Sequence, residues 1–178
     1  MASANLNIMI KAARKAGRSL VKDFREVENL QVSAKGPGDF VSRADREAER
    51  IIKEELRTAR PNYGWLGEET GMEAGEDPTR RWIVDPLDGT KEFVQRRGDF
   101  TVNIAYVQDG VPVRGVVYAP AKGRLFYTTA DGRSVEEKGP FGEQPGETHP
   151  IGVNPMPDNR GLMVVASKSH RDAATDAY

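Results

Sequence analysis

The sequence predicts an α+β fold, with N-terminal helices packed on an antiparallel sheet. Apolar residues recur at helical spacing as far as Ala59, and beyond it the period changes to two. Tight-turn pairs then follow one another, each returning the chain as a hairpin. In the first element Leu6, Met9, Ala13, Ala16, Leu20, Phe24 and Val27 fall at spacings of three and four, which marks one buried stripe. Lys11, Arg14, Lys15, Arg18 and Lys22 occupy the other faces, and a solvated role is expected for them. Lys35-Gly36-Pro37-Gly38 breaks the chain, and a second helix is expected from near Ser42, whose spacing to Asp45 resembles a capping box. Its stripe is Ala48, Ile52, Leu56 and Ala59, and Pro61 limits it, because the residue before a proline avoids the helical region.

Short strands are expected at 64–67 and 81–84. Residues 100–108 alternate, with Phe100, Val102, Ile104 and Tyr106 on one side, and run into Asp109-Gly110, a strong hairpin signal. Residues 113–118 return, 125–129 follow a Lys122-Gly123 turn, and Asp131-Gly132 makes another. From 136 to 160 there are four glycines and five prolines, so a loop or linker is expected there. Residues 162–166 then read as a buried strand, and 169–172 as a cap opening a further helix. A length of 178 residues holds one domain of roughly 150 residues plus a remnant. The expected division is therefore an N-terminal α+β domain at 1–150 and the truncated beginning of a C-terminal α/β domain at 151–178.

Composition excludes several classes of function. With 26 Lys+Arg against 27 Asp+Glu the net charge is −1, which gives no reason to expect a nucleic-acid partner. The absence of cysteine removes disulfides, thiolate nucleophiles and Cys-type metal centres together. Two histidines are too few for a His-rich metal site, and His149 lies in the expected loop. No apolar run approaches the roughly 20 residues of a membrane span, nor does the N-terminus resemble a signal peptide, so a cytoplasmic location is expected.

The strongest chemical feature is Asp85-Pro86-Leu87-Asp88-Gly89-Thr90, directly after the apolar run Trp82-Ile83-Val84. A strand ending in Asp places a carboxylate at a sheet edge, and a tight turn can aim Asp88 at the same point. Two such anions repel unless a cation sits between them. Hard oxygen donors with no Cys or His nearby favour Mg²⁺ over zinc. Gly89 and Thr90 offer backbone N–H groups where an anion could bind. The competing reading is that Asp85 and Asp88 only cap a turn. A second acidic cluster, Gly67-Glu68-Glu69, also follows a short apolar run, and convergence of the two on one metal site is the sharper expectation. A Ser169–His170 nucleophile pair is not expected, since adjacent residues rarely present a base to a nucleophile.

These residues resemble the Mg²⁺-dependent, lithium-sensitive phosphatase superfamily of inositol monophosphatase, which includes the 3′(2′),5′-bisphosphate nucleotidases and fructose bisphosphatases. The resemblance spans the chain and implies part of an αβαβα layered fold. It implies that Glu68, Asp85 and the Leu87 carbonyl hold a first Mg²⁺, and that Asp85 bridges to a second ion held also by Asp88. Two or three Mg²⁺ ions belong to a complete site. It further implies that the Gly89 and Thr90 amides bind phosphate, and that Asp45 pairs with the Thr90 hydroxyl to orient or deprotonate the attacking water. For Asp45 the helix-cap reading stands beside this one. Up to about Gly71 the chain looks more like bacterial inositol monophosphatases. From Asp85 on, Lys91-Glu92-Phe93, 98–105 and 167–172 look like the nucleotidases, and Lys168, Ser169 and Arg171 become candidates for binding a second phosphate or a ribose. The implied partner is a small phosphorylated molecule, with 3′-phosphoadenosine 5′-phosphate preferred and a myo-inositol monophosphate as the alternative, in an enzyme that is often dimeric. A family aspartate in a Trp-Asp-x-Ala-Ala-Gly-type motif has no match in these 178 residues. A metal- or phosphate-binding fragment without catalysis, or an interaction module, is therefore a further reading.

Overall fold

The computed structural model describes residues 4–30, 37–141, 146–153 and 172–177. Two long helices, α1 (Ala4–Leu30) and α2 (Pro37–Ala59), open the chain. The stripe on α1 is buried as expected from Leu6 to Leu20, and Ala12 joins it. Helix α2 begins earlier than expected. Pro37 stands at its first position, where a fixed φ suits a helix and the missing N–H is no loss. Ser42 and Asp45 consequently lie more than a turn inside α2, so the capping-box reading fails.

Among the described residues, eight strands form one sheet in the order β2-β1-β3-β4-β5-β6-β7-β8. They are β1 (Tyr63–Gly67), β2 (Gly71–Glu73), β3 (Asp77–Asp88), β4 (Thr101–Gln108), β5 (Val111–Ala119), β6 (Arg124–Thr128), β7 (Ser134–Lys138) and β8 (Glu147–Pro150). The meander from β3 to β8 is antiparallel throughout, as the hairpin signals predict. Asp109 and Gly110 both adopt positive φ, the primed-turn geometry that matches the twist of the flanking strands. The sheet is nonetheless mixed, because β1 pairs with β3 in parallel. The linker expected from 136 to 160 is also corrected: its first part continues the sheet, with β7 paired to β8 from Val135↔Pro150 to Lys138↔Glu147. Pro150 is accommodated there because β8 is an edge strand among the described residues and can do without one N–H. His149 lies on β8, 3.3 Å from Glu147.

Helices α1 and α2 cover one face of the sheet. Trp82 and Val84 of β3, with Val116 and Tyr118 of β5, point inward, whereas the alternating Ile83 and Val117 are exposed on the other face. Phe24, Phe93 and Phe100 pack ring to ring at 5.0–5.5 Å and tie α1 to the short helix α3 (Thr90–Val94). The basic side of α1 is not simply solvated. Arg14 is mostly buried against Glu137 of β7, and Lys11 and Lys15 both reach Glu55 of α2. The expected strand at 162–166 lies outside the described residues. Asp172 caps a last helical turn, α4 (Ala173–Asp176), by accepting from the Thr175 amide at 2.8 Å. No helix among the described residues is long and apolar enough to cross a membrane.

Candidate active site

The parallel pairing of β1 with β3 is what assembles the acidic edge. Gly67 is level with Val84, so both strands end in the same direction at the same height. Glu68 donates its amide to the Val84 carbonyl at 3.1 Å, which brings it beside Asp85. Opposite β4, Asp85 pairs with Asn103 and Asp88 with Thr101, so β3 carries one extra residue. Such a bulge re-aims side chains. Pro86 and Leu87 are buried, Asp85 is half-buried and Asp88 faces solvent.

The hydrogen bonds fix this turn in detail. Asp85 Oδ1 accepts from the Leu87 amide at 3.2 Å, and the Thr90 hydroxyl donates to the Leu87 carbonyl at 3.3 Å. Asn103 Nδ2 donates to Asp88 Oδ2 at 3.3 Å. Gly89 has φ of 90°, and a Cβ there would stand 2.7 Å from the Asp99 carbonyl, so the sharp entry into α3 requires glycine.

From the helical layer, α2 delivers Asp45 to the same edge. Asp45 is buried, and its Oδ1 has no hydrogen-bond partner among the described residues. Its carboxyl is pushed up to about 7, first by burial and then by the charges of Glu69, Glu68, Asp85 and Glu49. Asp85 is likewise pushed up to about 7, by burial and then by Glu68, whose carboxyl is within hydrogen-bonding reach, with Asp88 adding to the effect. Four of the expected residues, Asp45, Glu68, Asp85 and Asp88, are therefore in electrostatic contact. Leu87, Gly89 and Thr90 form the turn beside them. Lys168, Ser169 and Arg171 lie outside the described residues.

Among the described residues no three acidic or histidine side chains are gathered into a closed cation cage. The edge holds one facing pair, Glu68 and Asp85, with Asp88 turned to Asn103. The donor chemistry fits a hard divalent cation all the same: every candidate donor is an oxygen, two carboxyls are raised by burial and then by neighbouring carboxylates, and one buried carboxyl oxygen is orphaned. Sequence reasoning passed over Glu49, although a Glu one turn beyond Asp45 and next to Ala48 on the apolar stripe was a signal that it would be buried.

The acidic strand edge opens on the Gly89 turn and the start of α3, and comparison with known proteins shows the family to which this arrangement belongs. The family model of the inositol monophosphatase family matches residues 2–177, and the chain belongs to that family. Members of the family are phosphatases and are generally Mg²⁺-dependent. The chain is 58% identical over 130 residues to the inositol-1-monophosphatase of Mesorhizobium japonicum, covering 73% of the chain and 49% of that protein. It is 38% identical over 175 residues to the 3′(2′),5′-bisphosphate nucleotidase CysQ of Escherichia coli, covering 97% of the chain and 67% of that protein. The crystal structure of CysQ from Bacteroides thetaiotaomicron superposes with a TM-score of 0.74 at 31% identity, over 96% of the chain and 65% of that structure. The chain thus spans about half the length of the inositol-1-monophosphatase.

Proposed function

We propose that this chain is part of a Mg²⁺-dependent phosphomonoesterase acting on 3′-phosphoadenosine 5′-phosphate, which it hydrolyses to AMP and phosphate. The observation that carries the reading is the facing Glu68–Asp85 pair at the common end of two parallel strands, beside the turn at Leu87–Thr90. Glu68, Asp85, the Leu87 carbonyl and Asp88 would hold Mg²⁺. A bound ion there supplies charge neutralisation for the phosphoryl oxygens. In this reading Asp45, raised to about 7, takes a proton from a water near neutral pH, and the Thr90 hydroxyl, which donates to the Leu87 carbonyl at 3.3 Å, would turn to orient that water. The amides of Gly89 and Thr90 are assigned to the phosphate.

The nucleotide substrate is favoured by the likeness to CysQ, which runs over 97% of the chain. A myo-inositol monophosphate is the second reading, favoured by the 58% identity to an inositol-1-monophosphatase. The test is phosphate release by the intact gene product from each compound at saturating Mg²⁺. Faster release from the nucleotide is expected. Faster release from the inositol phosphate selects the second reading, and no Mg²⁺-dependent release from either defeats the enzymatic one.

A further inference from the structure

Glu49 is among the most deeply buried residues of the molecule, with 1% of its surface exposed. A buried carboxylate needs hydrogen bonds that replace its water. Here the donors are two consecutive backbone amides: Glu69 N reaches Oε2 at 2.8 Å and Thr70 N reaches Oε1 at 3.0 Å. Hydrogen bonds to an ionised acceptor are the stronger kind. Gly67 makes room for them, because a Cβ at that position would lie 2.6 Å from the Glu49 carboxyl carbon and both its oxygens. From the far side, Trp65 Nε1 donates to Thr70 Oγ1 at 3.0 Å.

The amides of residues 68, 69 and 70 are therefore each assigned an acceptor, the first on β3 and the next two on α2. The adjacent glutamate side chains are sorted at the same time. Glu69 goes to Arg46 of α2, its Oε2 3.2 Å from the guanidinium Nε. Glu68 is left to face Asp85. An apolar side chain at position 49 could fill the same space in the core, but it would strand two N–H groups one and two residues beyond Glu68.

We propose that Glu49 is a positioning residue for the acidic edge: its carboxylate latches the turn at 68–70 and so presents Glu68 to Asp85, with Gly67 as the space that admits it. The inference rests on reading Glu68 as a Mg²⁺ ligand. Residues that orient metal ligands typically change metal affinity by about 10–100-fold when altered.

The test is titration calorimetry with Mg²⁺ on the purified protein, together with hydrogen exchange at the Glu69 and Thr70 amides. Glu49→Gln keeps the shape but turns an amide group toward one of the two donors. It is expected to weaken Mg²⁺ binding roughly tenfold or more and to speed exchange at both amides. Leu56→Ala, a core change farther along the same helix, is expected to lower Tm while leaving Mg²⁺ affinity unchanged. Gly67→Ala should reproduce the Glu49→Gln effect and keeps the test open if Glu49→Gln does not fold. Mg²⁺ binding by Glu49→Gln within twofold of wild type, or equal weakening by Leu56→Ala, overturns the latch. A wild type that binds no Mg²⁺ at all defeats the ligand reading of Glu68 itself, and the latch with it.

Discussion

On β7, Glu136 and Glu137 are buried and each meets an arginine: Arg124 Nε lies 2.6 Å from Glu136, and Arg14 lies 2.5 Å from Glu137. The Arg124 hydrogen bond holds the Glu136 carboxyl below the usual range. At the acidic edge, Asp45 and Asp85 are shifted the other way, by burial and by further carboxylates. Folding alone would favour the β7 arrangement everywhere, since an unneutralised acid in a partly buried place destabilises the chain. The groups that raise Asp45 and Asp85 are all carboxylates, with no arginine or lysine among those named, and on the reading proposed above a divalent cation would neutralise them. The β7 acids are paired with arginines and the edge acids Asp45 and Asp85 are not, and this contrast supports the proposal that the edge is a site.

The largest expected effect strikes at the acidic side of that contrast. Asp85→Asn removes the carboxylate that faces Glu68, and kcat of the intact enzyme should fall by about a thousandfold or more. Phosphate release measured against Mg²⁺ concentration checks this. Activity retained within a few fold would make Asp85 a turn residue, and the difference between the two regions would lose its functional meaning.

The next effect strikes the β7 side. Arg14→Ala leaves Glu137 buried with, among the described residues, the Gly146 amide at 2.7 Å as its remaining hydrogen-bond donor, and stability should drop by about 3 kcal/mol, since breaking a buried pair strands a charge. Replacing both partners, Arg14→Met with Glu137→Leu, should restore most of that loss, because a well-packed apolar pair is often as stable as the ion pair. Urea denaturation of the two variants measures it. Recovery by the double change would show that β7 carries structure only, and its failure would point to a second role for that end of the sheet.

How much of this was legible in the sequence depended on how local the signal was. Asp85 to Thr90 could be read because strand, turn and helix start are contiguous, and Asp109-Gly110 because a two-residue hairpin needs nothing from elsewhere. The parallel alignment of Gly67 with Val84 was not legible, since period-two patterning is the same whichever way the partner strand runs. Asp45 was ambiguous because Ser42-x-x-Asp45 has the spacing of a cap, and only the start at Pro37 places it inside α2. Arg14 and Glu137 meet across 123 residues, a distance no pattern reports, so α1 was expected to be solvated on a side that is in part packed.

The smallest effect is a difference in sign with pH. In the metal-free chain Asp45 and Asp85 hold their protons up to about 7, while the unfolded chain releases them near 4. Between those values the folded state binds more protons, so raising the pH weakens it: this contribution is complete below about pH 4 and gone above about 7. Glu136, with its carboxyl lowered, behaves oppositely, contributing above the ordinary carboxylate range and losing that contribution as pH falls. Thermal melts in a chelator should therefore show Asp45→Asn gaining on wild type by a few degrees between pH 4 and pH 8, at roughly 2–4 °C per kcal/mol for a chain of this size. Glu136→Gln should instead lose ground on wild type over the same rise. If the ion binds at the acidic edge as proposed, saturating Mg²⁺ at pH 8 should close the Asp45→Asn gap and leave the Glu136→Gln gap unchanged. Equal response of both gaps to Mg²⁺ would mean the ion acts through general screening, and the two regions would differ in burial alone.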